Sequence, residues 1–212
     1  MRKQIMSVIF ALIVGIPCSA NGMEPLDALK VPVDQLLGIL KDPQYQDAAR
    51  EDAQREEIWE TIRQVFDFPV MAKLALARNW KKFTPQQRKE FTDLFAELLE
   101  STYVDKIQGG YEEEKVLYLG QKMVSDSKAR VTTKILRSSV DIPIVYSMLK
   151  RNDIWRVYDV KIEGVSLIKN YRTQFSHVLA KDSPAHLIKR LKRKIELQKK
   201  KRTKSRMVGG PY

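Results

Sequence analysis

Along this chain the spacing of apolar positions changes twice. From about residue 32 to 108 they recur every three or four residues, from 115 to 162 they alternate, and from 166 the helical spacing returns. The first helical face is short, Val33, Leu36, Leu37 and Leu40, and is closed by Lys41-Asp42-Pro43. A second stretch, Asp47 to Phe66, keeps Ile58, Trp59, Ile62, Val65 and Phe66 on one stripe; its first half is almost wholly charged or small and is expected to face water. Asp67 stands where a cap is wanted for the next helix, with Pro69 tolerated in its first turn, and Val70, Met71, Leu74 and Leu76 carry the apolar pattern toward Trp80 and Phe83. Thr84-Pro85-Gln86-Gln87 has the form of a capping box with proline at the first helical position. Phe91, Leu94, Phe95, Leu98, Leu99, Thr102, Tyr103 and Ile107 then predict a long helix that Gly109-Gly110 ends.

Four segments, 115–124, 128–137, 141–150 and 154–162, read as strands. In the second, Ala129, Val131, Thr133 and Ile135 alternate with Arg130, Thr132 and Lys134, and Asn152-Asp153 suits a tight turn between the last two. Sequential strands with short connections predict an antiparallel meander with one buried face. Two helices follow, about 166–181 with Ile168, Tyr171, Phe175, Val178 and Leu179 inward, and about 184–199 opened by Ser183-Pro184. Helices, then strands, then helices is an α+β order: helices packed on one face of a curved antiparallel four-stranded sheet. The expected organisation is a single domain over 24–198, with helices in 32–108, the sheet in 115–162, helices in 166–199, and a basic disordered tail over 199–212.

The N-terminal pattern stands apart. Arg2 and Lys3 precede an uncharged, mostly apolar run from Ile5 to Ile16, and Cys18-Ser19-Ala20 supplies small residues; residues 1–20 are therefore expected to be a secretory signal peptide, the run being too short to span a bilayer. Cleavage after Ala20 would leave no cysteine, hence neither disulfides nor thiol chemistry. The formal charge of +12 suggests nucleic acid until it is divided by segment. Residues 189–212 hold 11 Lys and Arg against one acid, Glu196, and outside that tail and the first three residues bases and acids are equal in number. A basic tail on a neutral body does not make a nucleic-acid groove, and none is expected as a partner. Attraction of the tail to an anionic membrane surface and a merely solvated tail both fit the composition.

Candidate chemistry is sparse. VYDVKIEGVSLIKNYRTQF (157–175) has the strand, glycine, serine, helix order of a nucleophile elbow, but the motif needs glycine two residues past the serine and Ile168 stands there. The two histidines, His177 and His186, lie along the following helices, so Ser166 is expected to cap a helix rather than attack a substrate. No metal-ligand cluster, calcium loop or phosphate-cradling glycine loop is recognisable, no cofactor is expected, and Glu112-Glu113-Glu114 reads as a solvated loop. The chain is read as not an enzyme. Large apolar residues are instead plentiful on several elements, and periodicity cannot separate a filled core from a hollow one.

FDFPVMAKLALARNW (66–80), the FTPQQRKEF helix start (83–91) and above all VYDVKIEGVSLIKNYRTQF resemble the periplasmic phospholipid-binding proteins of the Mla pathway, the MlaC or toluene-tolerance family of Gram-negative bacteria. The resemblance spans roughly residues 31–195. One departure is Ala77, where the family often has glycine; within a helix, alanine would be well accepted. The resemblance implies a periplasmic shuttle that carries phospholipid between an outer-membrane lipoprotein complex and the lipid-binding subunit of an inner-membrane ABC transporter, maintaining outer-membrane lipid asymmetry. It implies acyl tails in a cavity between sheet and helices, with Val165 at the glycine turn and Tyr103 on the long helix as lipid-binding positions. Periodicity extends that set to Met71, Leu74, Phe95, Leu98, Leu99, Ile144 and Tyr146. The competing classes are a secreted serine hydrolase using Ser166 and a protein-interaction module with a filled core.

Overall fold

The structure, a computed structural model, describes residues 23–208 except Gln46, Ser138 and Ser139; the expected signal peptide and the last four residues lie outside the described residues. The element order is α1 (Pro25–Lys41), α2 (Glu51–Val65), α3 (Phe68–Leu76), α4 (Pro85–Gly109), β1 (Lys115–Ser125), β2 (Lys128–Leu136), β3 (Ile142–Arg151), β4 (Ile154–Ile162), β5 (Val165–Ser166), α5 (Leu167–Leu179) and α6 (Pro184–Val208), with short 3-10 turns after α1 and α3. This is the expected α+β arrangement. The sheet has five strands in the order β1-β2-β3-β4-β5, all antiparallel, the fifth being a two-residue addition that folds back on β4 through Lys161–Ser166 and Ile162–Val165.

The local signals act as their chemistry requires. The Asp67 carboxylate accepts the Val70 amide, Thr84 and Gln87 satisfy each other in the capping box, and Ser166 Oγ accepts the Lys169 amide at the start of α5. Asn152 and Asp153, with φ of 49° and 60°, form the tight turn between β3 and β4, where a left-handed pair matches the twist of the strands. Registry breaks at Tyr118/Gly120 and Met123/Ser125 in β1 and at Tyr158 in β4, opposite Ser147/Met148, bend the sheet. Cross-strand rows such as Thr133–Ile144–Ile162 and Val131–Tyr146–Val160 then line its concave side, because directly opposed residues share a face.

Three boundaries differ from the pattern. α1 begins at Pro25 rather than near 32, because Leu29 continues its apolar face onto the sheet; Pro32 sits inside the helix at the loss of one ladder hydrogen bond. The first half of α2 does not face water throughout: Arg55 is 5% exposed and pairs with Glu100 and Asp105 of α4, and Gln54 donates to the Ile39 carbonyl. α6 continues through residues 199–208, where a disordered tail was expected. It is clamped to the parallel α4 by Lys192–Glu90 at 2.6 Å, Lys199–Glu97 at 2.6 Å and Arg202–Asp105 at 3.9 Å, and Gln198 bonds Ser101 and Thr102.

The apolar interior falls into two masses. One joins α2 through α6 with the C-terminal end of α1, through Ile39, and contains a ring cluster in which Phe95 meets Tyr171 at 5.1 Å and Phe175 at 5.6 Å in edge contacts. The other joins α1 to the concave sheet face through Leu29, Val131, Met148 and Val157.

Candidate functional site

Where those two masses meet they do not close. α1 carries a strongly apolar face, yet Leu36, Leu37 and Leu40 are only half-buried, and Pro25, Leu29 and Ile39 are its buried residues. The unburied face looks into a cavity of ≈ 370 Å³. Its wall is built from α1 (Pro32, Val33, Leu36), α2 (Ile62, Val65), α3 (Met71), the C-terminal part of α4 (Leu99, Tyr103, Ile107) and the sheet (Val116, Ile135, Ile144, Tyr146, Val160, Ile162). Protein interiors rarely leave apolar surface of this extent unpacked, so this space is the candidate binding site. The volume lies within the roughly 300–1,000 Å³ of small-molecule pockets.

Electrostatically the wall has two characters. Burial pushes the Tyr103 and Tyr146 phenols up from their ordinary pKa, so both rings stay neutral. The charged residues of the wall gather where α4 ends. Arg137 lies 2.8 Å from Glu114 and donates at 3.3 Å to the Gly110 carbonyl, beside Lys106, whose own carbonyl accepts the Gly110 amide. Glu114 is buried, unlike the solvated loop expected of it. Burial alone would raise its carboxyl pKa, but the Glu112 amide, its own amide and the Arg137 guanidinium outweigh that and hold it below the usual glutamate value. Two further wall residues, Trp59 and Tyr111, hold buried polar atoms, Nε1 and the phenol oxygen, without a hydrogen-bond partner among the described residues.

The candidate residues divide. Met71, Leu99, Tyr103, Ile144 and Tyr146 come together on the wall. Phe95 and Leu98 do not line it: they are fully buried in the helical core, because α4 is covered on more than one side and its period alone does not separate the face toward α5 and α6 from the face toward the cavity. Leu74, half-buried, packs on the same core. Val165 is 64% exposed and outside the wall, but it opposes Ile162 across the β4–β5 pair and lies two residues before Leu167, and both of those line the cavity. By register it shares the cavity-facing side of the sheet edge. α1 and α2 contribute wall residues outside the candidate set, and the apolar spacing of Val33, Leu36 and Ile62 does not by itself separate them from core positions.

Ser166 is committed elsewhere. Its hydroxyl donates to Asp159 at 2.7 Å while accepting the Lys169 amide, and the Asp159 carboxylate also accepts the Ile168 amide, so the two side chains together hold the strand-to-helix corner. Among the described residues there is no group of His, Cys, Asp and Glu suited to a metal ion, and no helix is long and apolar enough to cross a membrane.

Comparison with known proteins agrees with this architecture. A phospholipid-binding protein from Ralstonia solanacearum, solved in complex with a phospholipid, superposes with a TM-score of 0.72 over 83% of this chain and 99% of its own, at 22% sequence identity. At that identity the likeness concerns the fold. The family comparison is independent of it: the family described as MlaC protein matches residues 30–193, most of the length that forms the helices, the sheet and the cavity between them. The chain belongs to the MlaC family.

Proposed function

We propose that this protein is a phospholipid carrier that takes acyl chains into the cavity between α1, α2, α4 and the sheet. The observation that carries the reading is the cavity itself: an almost wholly apolar wall, with charge confined to the end of α4. The Ralstonia solanacearum protein of the same fold was solved with a phospholipid, which supports this class of ligand. Two acyl chains hold on the order of 30 methylenes, each worth roughly 0.8 kcal/mol against water, so about 24 kcal/mol opposes a bare lipid crossing an aqueous gap. A carrier has to match that shielding without exceeding it by much, because donor and acceptor are both membranes. Apolar walls of flexible side chains such as Met71 and Leu99 do so without a chemical step, and release can be directed by docking to a partner.

In this reading the protein acts in the periplasm. It shuttles phospholipid between an outer-membrane lipoprotein complex and an inner-membrane ABC transporter with its lipid-binding subunit, and so maintains the lipid asymmetry of the outer membrane. Trp59 and Tyr111 supply hydrogen-bond donors suited to the ester carbonyls of a glycerolipid, and Val165 lies beside the path of the chains.

The test is organic extraction of the purified protein followed by lipid mass spectrometry. Stoichiometric phospholipid is expected in the wild type and strong loss in Ile62→Glu, which puts a charge in the α2 wall, and in Val165→Glu at the sheet edge. Protein that carries no phospholipid, or Ile62→Glu that retains it at wild-type stoichiometry with the fold intact, would sink the proposal.

A further inference from the structure

The bases of α6 are not used alike. Lys192, Lys199 and Arg202 pair with Glu90, Glu97 and Asp105, and Leu187, Ile188, Leu191 and Ile195 are buried, so this side of the helix is fixed to the body. Arg190, Arg193, Lys194, Lys200, Lys201 and Lys204 are exposed and form no ion pair among the described residues. At 3.6 residues per turn all six lie within about 60° of the direction of Leu197, and they span about 21 Å along the axis. Leu197, at the centre of this stripe, is 51% exposed. Glu196, the only acid of the helix, lies about 100° away from it.

We propose that the outer face of α6 is a docking surface for an anionic phospholipid bilayer. The body is charge-neutral, so this face, and not the net charge of the whole molecule, sets the interaction. The stripe lies on a helix clamped to α4 and is longer than two Debye lengths at physiological salt, which is why a continuous anionic plane neutralises all six bases at once where a compact acidic patch on a protein reaches only part of them. The apolar stems of these Lys and Arg side chains surround Leu197, so their charged heads can reach lipid phosphates while the stems and Leu197 meet the less polar headgroup boundary. The inference places the contact on a folded helix and not in a loose tail. It goes beyond the carrier reading, since it holds whether or not the cavity carries lipid.

The experiment is flotation of the purified protein with vesicles of phosphatidylcholine alone or mixed with phosphatidylglycerol, over a series of salt concentrations. Each base near an anionic surface contributes roughly a fivefold gain in partition at low ionic strength. If the six contributions add, exchanging all six for glutamine is expected to weaken binding to the mixed vesicles by on the order of ten-thousandfold, with circular dichroism unchanged. If the wild type and this variant float equally, the proposal is overturned. Retention on polyglutamate without binding to phosphatidylglycerol vesicles also overturns it, in favour of an acidic protein surface. Should the sixfold variant fail to fold, an environment-sensitive dye on Leu197→Cys, in a Cys18→Ser background, decides: emission must shift on the mixed vesicles and return at high salt, and a constant spectrum rejects the contact. Lipid extraction from the same preparations reports on the cavity separately.

Discussion

Ala77 ends α3 with φ 48° and ψ −125°, a backbone conformation that side chains with a Cβ rarely adopt. The sequence pattern puts this alanine inside a helix, where it would be favourable; the chain instead turns there, in a backbone conformation that glycine adopts far more readily. Holding a Cβ in this region costs on the order of 1–3 kcal/mol, and glycine loses about 0.5–1 kcal/mol of chain entropy on folding, so Ala77→Gly is expected to stabilise by about 1 kcal/mol. For a domain of this size that is a rise of roughly 2–4 °C in Tm. A melting temperature that stays constant or falls in scanning calorimetry would mean that no strain resides there. Ser166 shows the opposite outcome at the same scale: a cap legible from sequence is a cap in the structure, with the Asp159 carboxylate as its unforeseen partner.

Among the elements, the strands were the most legible, because a period of two with one wet face leaves little freedom in register. The first half of α2 was misleading. Its charges read as solvated, but the Arg55 guanidinium is drawn inward by Glu100 and Asp105, 45 and 50 residues away, and no pattern within α2 reveals that. The same contact explains why α2 and α4 stay registered along the cavity. Removing the arginine strips Glu100 and Asp105 of it, but their side chains are 22% and 42% exposed and so partly hydrated, and Arg202 still lies 3.9 Å from Asp105. Arg55→Ala is accordingly expected to cost about 2–3 kcal/mol, toward the low end for a broken buried pair, and Arg55→Met less, since it retains the apolar stem. Urea denaturation measures both, and a loss from Arg55→Ala below about 0.5 kcal/mol would show that the pair contributes little.

The whole molecule is two packed masses with a gap, and its stability should depend on what fills the gap. A ligand that binds the folded state alone adds RT ln(1 + [L]/Kd), about 2.7 kcal/mol at a hundredfold excess over Kd, so delipidated protein is expected to melt below protein that retains its lipid. Val33→Trp, which projects bulk from α1 into the cavity, should narrow that difference while lowering the lipid content. If delipidation leaves the Tm unchanged, the gap is not the lipid site. The cavity was only half legible. Tyr103 is implied by the family resemblance, and Leu99, Met71, Ile144 and Tyr146 follow from their spacing, but so do Phe95 and Leu98, which the helices enclose completely.

By itself the sequence determined the alternation of elements, the caps at Asp67, Thr84 and Ser166, the turn at Asn152-Asp153 and the neutral body beneath a basic C-terminal segment. These are local, set by spacing, backbone preference and charge counts within a few residues. Only the tertiary structure decided that α6 continues as a folded helix clamped to α4, that Arg55 turns inward, and that apolar residues of α1, α4 and the sheet border an open space. Apolar periodicity records which side chains avoid water. Whether they meet protein or an open space depends on the distance between elements far apart in the chain, and that distance has no local signature.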